Sequence, residues 1–179
     1  MSKKTIQNIA LAAMFIAIGV LLPFLTGQIR QIGKMLLPMH LPVFLCAMIC
    51  GWKYGLAVGA ILPLLRSTLF SMPPMFPGAV AMSFELLTYG LLAGLLYAHS
   101  RKPNLFAIYR ALIVAMVGGR LVWGVVQFFL LGFTGSSFTW SAFLAGAVLD
   151  AIPGIVLQLI LIPAVLTILI QTGALKSRR

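Results

Sequence analysis

Apolar residues run along this chain in six long stretches, separated by short polar or glycine/proline breaks. The stretches cover about 6–25, 36–50, 54–70, 78–98, 105–131 and 138–170. Stretches of about 20 apolar residues match the hydrocarbon thickness of a bilayer. Within lipid every backbone N–H and C=O needs an internal partner, so such a segment is a helix or part of a closed barrel. The strict apolar/polar alternation of a barrel strand is absent, and the pattern predicts helices. The second stretch is short, and Pro153 and Pro163 are expected to interrupt the sixth.

Composition agrees with this reading. The chain is 61% hydrophobic and only 8% charged over 179 residues, against about a quarter charged in soluble domains. One membrane domain over 1–179 is expected, an all-α integral membrane bundle of six transmembrane helices. The first stretch follows Lys3 and Lys4 but shows no small-residue cleavage site before Pro23, and it reads as a retained helix. Thirteen Lys and Arg face two acids, Glu85 and Asp150. The basic residues are scattered in ones to threes and form no stripe or stacking platform, which argues against nucleic acid and for topology signals. With the N-terminus in the cytoplasm, Lys3, Lys4, Lys53, Arg101, Lys102, Arg110, Lys176, Arg178 and Arg179 lie inside, and only Arg30 and Lys34 lie outside. The positive-inside rule therefore places both termini in the cytoplasm.

Four ionisable residues fall within the apolar stretches: Arg66, Glu85, Arg120 and Asp150. Such residues face a bundle interior or a polar cavity. At a rise of ~1.5 Å per residue, Arg66 lies roughly 6 Å, Glu85 roughly 10 Å, and Arg120 and Asp150 roughly 15–18 Å below the outer ends of their helices. All four are expected in the outer half of one bundle, on four helices, as a shared binding cavity requires. Pairing of Arg66 with Glu85 and of Arg120 with Asp150, simply to hold helices together, is the competing reading. The two are compatible, because a paired arginine can still donate to a ligand. His40, Tyr89, Trp123 and Gln127 complete the candidate substrate site, and Gln158 and Trp140 are further polar or aromatic positions within the spans. Met35, Met39, His40, Cys46, Cys50, Met72, Met75 and Met82 are soft ligands, but their irregular spacing fits packing better than copper(I). No metal site is assigned. No nucleotide-binding loop, zincin motif or serine–histidine arrangement is present, which argues against an enzyme and against ATP hydrolysis by this chain.

The run Ala13-x-x-x-Ala17, then a polar loop, then His40-Leu41-Pro42-Val43-Phe44-Leu45, Gly51-Trp52-Lys53-Tyr54-Gly55, Leu62-Pro63-Leu64-Leu65-Arg66 and Glu85-x-x-x-Tyr89-Gly90 resembles the substrate-binding S components of energy-coupling factor (ECF) transporters. The resemblance spans essentially the whole chain. It implies a six-helix subunit of the bacterial cytoplasmic membrane that captures a small water-soluble vitamin. Its partners would be a membrane scaffold (T) subunit and two cytoplasmic ATPases, with no cofactor in this chain. It also implies a gate formed by the loop 26–37, including Gln28, Arg30, Gln31 and Lys34, and a scaffold-contact face at Ala13 and Ala17. The ligand-binding residues of that family vary with the vitamin and do not carry over by motif. The mix of arginines and acids fits pantothenate first, then a pyridoxine- or niacin-like vitamin. A ligand-free membrane scaffold or cell-shape protein is the alternative function.

The orientation predicts that Gln31→Cys is labelled by a membrane-impermeant maleimide in intact cells and that Lys102→Cys is labelled only after permeabilisation. Labelling of position 102 in intact cells would reverse the topology.

Overall fold

The computed structural model describes residues 2–26, 35–100, 104–133 and 151–173. Among the described residues six α-helices are delimited: α1 Lys3–Leu21, α2 His40–Cys50, α3 Trp52–Phe70, α4 Val80–Ala98, α5 Leu105–Phe133 and α6 Ile152–Gln171, and Met35 and Leu36 are helical as well. A tight turn, Leu22–Thr26, extends α1, and a wide turn, Met75–Ala79, leads into α4. The chain is thus an all-helical, multi-pass membrane protein. The segments α1, α4, α5 and α6 are each long and apolar enough to cross a bilayer. Helix α3 has the length but carries Lys53 and Arg66 within its 19 residues.

Two boundaries differ from the sequence expectation. The second stretch forms a helix of only 11 residues, roughly 16 Å long and too short to span alone. The sixth helix starts at Ile152 rather than near 138, and Pro153 sits in its first turn instead of interrupting it. Proline is suited to that position, because the first-turn N–H groups have no intrahelical acceptor to lose. Pro163 lies inside α6, which continues to Gln171. Residues 134–150, with Trp140 and Asp150, lie outside the described residues, as does the proposed gate at Gln28, Arg30, Gln31 and Lys34.

Helix α4 is the hub, packed against α2, α3 and α5, while α1 packs on α2 and α3 and α6 on α2 and α5. Short α2 is the most enclosed element, with Val43, Phe44, Leu45, Cys46, Ala47 and Met48 all buried. It ends at Gly51, whose φ of 104° suits a residue without Cβ and turns the chain directly into α3. Apolar side chains such as Leu121, Val125, Phe128 and Phe129 of α5 and Ile160 and Ile168 of α6 are exposed. On a protein with so few charges, these faces meet lipid.

The α3–α4 crossing is backbone on backbone. A Cβ at Gly90 would collide with the carbonyl group of Gly55, one at Gly59 with that of Leu86, and one at Gly94 with the backbone of Trp52. Small residues allow this approach in lipid, where close packing rather than hydrophobicity drives association. Gly90→Val is accordingly expected to destabilise the subunit by about 2–3 kcal/mol through overpacking. Gly132→Val, at a position with no described residue within 4 Å, should change stability by less than about 0.5 kcal/mol. Reversible unfolding in mixed micelles compares the two, and equal effects would contradict the crossing.

Candidate functional site

The buried carboxylate Glu85 is the centre of the site. It is the sixth residue of α4 and 1% exposed. Three groups meet the same oxygen. The Tyr89 hydroxyl, one helical turn on, donates to Oε1 at 2.8 Å. Arg120 Nη1 of α5 lies 3.0 Å from it, and His40 Nε2, on the first residue of α2, lies 3.5 Å away. Phe44, one turn along α2 from His40, stacks on the Tyr89 ring with centroids 4.9 Å apart and planes 20° from parallel. The His40 ring tilts against the same tyrosine at 5.4 Å.

Local sequence accounts for this convergence. Residues four apart share a helix face, so Glu85–Tyr89 and His40–Phe44 each act from one face. Helices α4 and α5 form an antiparallel pair, and Gly119 lets them touch. A Cβ there would strike the Tyr89 ring and crowd the Glu85 carbonyl oxygen. That contact sets the next residue, Arg120, beside Glu85.

The arginines therefore behave differently from the pairing considered on sequence grounds. Glu85 pairs with Arg120, not with Arg66. The Arg66 guanidinium donates through Nη1 to the Val20 carbonyl oxygen at 2.6 Å and lies 5.3 Å and 5.5 Å from the Phe24 and Phe70 ring centroids. Among the described residues it is buried without a carboxylate partner, and it ties the end of α1 to the end of α3. Asp150, the proposed partner of Arg120, lies outside the described residues.

Several buried polar atoms of α2, α5 and α6 have no hydrogen-bond partner among the described residues: His40 Nδ1 and Nε2, Arg120 Nε and Nη2, Gln127 Oε1 and Gln158 Nε2. Leaving a buried donor or acceptor unsatisfied costs about 1–3 kcal/mol each. Arg120, Trp123 and Gln127 recur at the spacing of one face of α5, and Gln158 is buried on α6, which packs on α2 and α5. Unsatisfied donors and acceptors on three helices are the equipment for holding a polar molecule. Of the sequence-predicted residues, the structure brings together His40, Glu85, Tyr89 and Arg120, and sets Arg66 apart. Phe44 and Gly119 were not anticipated. The His40-x-x-x-Phe44 spacing and the Gly118-Gly119 pair before Arg120 are the signals that point to them.

A family model described as the substrate-specific component of ECF transporters matches residues 7–166. The chain belongs to that family. Comparison with curated proteins and with solved structures gave no match. ECF substrate-specific components are membrane substrate-binding proteins, not enzymes, and they work with T and ATPase subunits.

Removing Glu85 strands a buried guanidinium. Glu85→Ala is expected to cost about 3–5 kcal/mol of stability, and the double replacement Glu85→Met with Arg120→Met should recover most of it. Unfolding titrations of the three variants test this, and a double variant no better than the single one would count against the pair.

Proposed function

We propose that this substrate-specific component captures a small water-soluble vitamin, pantothenate-like in its chemistry, between α2, α4, α5 and α6. The supporting observation is the Glu85 centre, a hydrogen-bonded ion pair whose Arg120 and neighbouring His40 keep buried nitrogens without hydrogen-bond partners among the described residues. A ligand-free scaffold has no use for such a group, since apolar residues of similar volume would pack these helices as well or better. His40, Glu85, Tyr89, Trp123, Arg120 and Gln127 would bind the ligand, with Asp150 as a further candidate. Arg66 would instead clamp α1 to α3 beside the site.

The wider assembly follows the same reading. The chain would sit in the bacterial cytoplasmic membrane as six membrane helices with both termini inside. Short α2 would be completed by the residues preceding it, and α3 would keep Lys53 at the inner boundary. The loop 26–37 would gate the site. Ala13 and Ala17 are exposed on α1, and small residues four apart admit a neighbouring helix. They would contact the scaffold subunit, which in turn would carry two ATPases, so that ATP is hydrolysed outside this chain.

Native mass spectrometry of the purified subunit is expected to show one co-purified small polar molecule. Binding should fall by at least about 100-fold in Arg120→Ala, where a charge-assisted contact is lost. Ala17→Trp should abolish uptake by cells while leaving binding intact. A subunit that carries nothing, or uptake that survives Ala17→Trp, would overturn the capture reading or the contact face respectively.

A further inference from the structure

The geometry points to the Nε–Nη2 edge of Arg120 as the seat of a ligand carboxylate. This inference rests on the capture reading above and specifies its chemistry. A guanidinium offers one edge on which two N–H groups, from Nε and Nη2, point the same way, at a spacing that matches the two oxygens of a carboxylate. Glu85 does not use that edge. Its Oε1 lies on Nη1, 3.0 Å away. Nε and Nη2 are both buried and have no hydrogen-bond partner among the described residues. Arg120 is thus held by Glu85 through Nη1 and keeps its Nε–Nη2 edge buried and unmet among the described residues.

Electrostatics allows a second carboxylate here. Glu85 shares its Oε1 between Arg120, the Tyr89 hydroxyl and the neighbouring His40 imidazole, so the guanidinium is not its only support.

Gln127 defines the other end of the ligand. Its Oε1 is buried and unpartnered among the described residues, and an amide oxygen can only accept. Seven residues separate it from Arg120 on the same face of α5, roughly 10 Å along the axis. The ligand therefore carries a carboxylate at one end and a hydroxyl or amide N–H several ångströms away. Pantothenate has that layout, with a terminal carboxylate, an amide N–H and two hydroxyls. Nicotinate has the carboxylate without a distant donor, and pyridoxine has hydroxyls without a carboxylate.

The test uses the purified full-length subunit and probes that differ at the carboxyl group. Titration calorimetry compares pantothenate with pantothenol, in which a primary alcohol replaces the carboxylate, and nicotinate with nicotinamide, with pyridoxine alongside. Pantothenate is expected to bind at least about 100-fold more tightly than pantothenol, because the alcohol leaves one buried N–H of the fork unmet and brings no charge. Arg120→Lys keeps a cation beside Glu85 but removes the fork. It should weaken pantothenate by at least about 30-fold and leave pantothenol within about threefold of wild type. Gln127→Leu should weaken both by the same factor, since the end it contacts is common to them.

Equal wild-type affinity for acid and alcohol overturns the seat, and so does a preference for the acid that persists in Arg120→Lys. If that variant fails to fold, the wild-type ratio decides alone. When none of the probes binds, native mass spectrometry of the subunit as purified separates the cases. A bound molecule with a carboxyl group supports the seat. A bound molecule without one overturns the seat and leaves nutrient capture standing. A subunit that is empty in every preparation overturns both.

Discussion

A carboxylate buried in a lipid-embedded bundle must be answered from within the protein, and the arrangement of this molecule follows from how Glu85 is answered. Its partners come from three directions: its own helix through Tyr89, the next helix through Arg120, and the short helix through His40. Each needs a specific packing to be in place. Arg120 arrives because Gly119 lets α5 lie against the Tyr89 ring. His40 arrives because α2 begins at that residue. Tyr89 is held flat by Phe44. Desolvating two ions costs several kcal/mol each, and their attraction does little more than offset that. The pair therefore adds little to the cohesion of helices that already interlock through Gly55, Gly59, Gly90 and Gly94. What it provides is an oriented polar group in a place where lipid supplies none.

The two interior arginines show how the same residue type is used in two ways. Arg66 stands at the end of α3, where the carbonyl groups of the last turn of α1 lack intrahelical donors. One such carbonyl, at Val20, and the faces of Phe24 and Phe70 receive the guanidinium. A cation over aromatic rings is stabilised without an opposite charge, and among the described residues Arg66 is held by one carbonyl and two ring faces. Arg120 has one nitrogen engaged with Glu85 and two others unmet among the described residues. Both arginines are interior and charged, and only the direction and number of their contacts separate a clamp from a proposed binding group.

Much of this was legible in the sequence, and the misses have a common cause. The apolar stretches marked the helices, and residue counts from their ends placed Glu85 and Arg120 in one half of the bundle. Depth along a helix says nothing of rotation about it or of which helix lies next to which. That is why the sequence pairs Glu85 with Arg66, whereas the structure pairs it with Arg120. The information that decides between them is the set of close approaches, carried by glycines such as Gly90 and Gly119 whose neighbours the sequence does not name. The second helix was read as a full stretch because residues 36–39 are as apolar as those that follow. Yet Leu37 has a φ of 49°, outside the helical region, and the helix cannot begin until His40. At the sixth, the apolar run continues through residues that no hydropathy argument could separate from Ile152.

The shortness of α2 also explains why the site lies where it does. A full-length helix in its place would fill the bundle from one side to the other and leave no room for polar groups above Glu85. By beginning at His40, α2 ends its regular backbone at the depth of the carboxylate. The chain before it, Met35–Met39, crosses toward α6, whose first turn touches it so closely that a Cβ at Gly154 would collide with the Met35 and Leu36 carbonyl groups. The backbone leading into His40 is thus helical at Met35 and Leu36 and irregular only over Leu37–Met39. Irregular backbone at this depth is tolerated only where protein or a polar interior satisfies it. It also rearranges more cheaply than a helix, because fewer hydrogen bonds must break together.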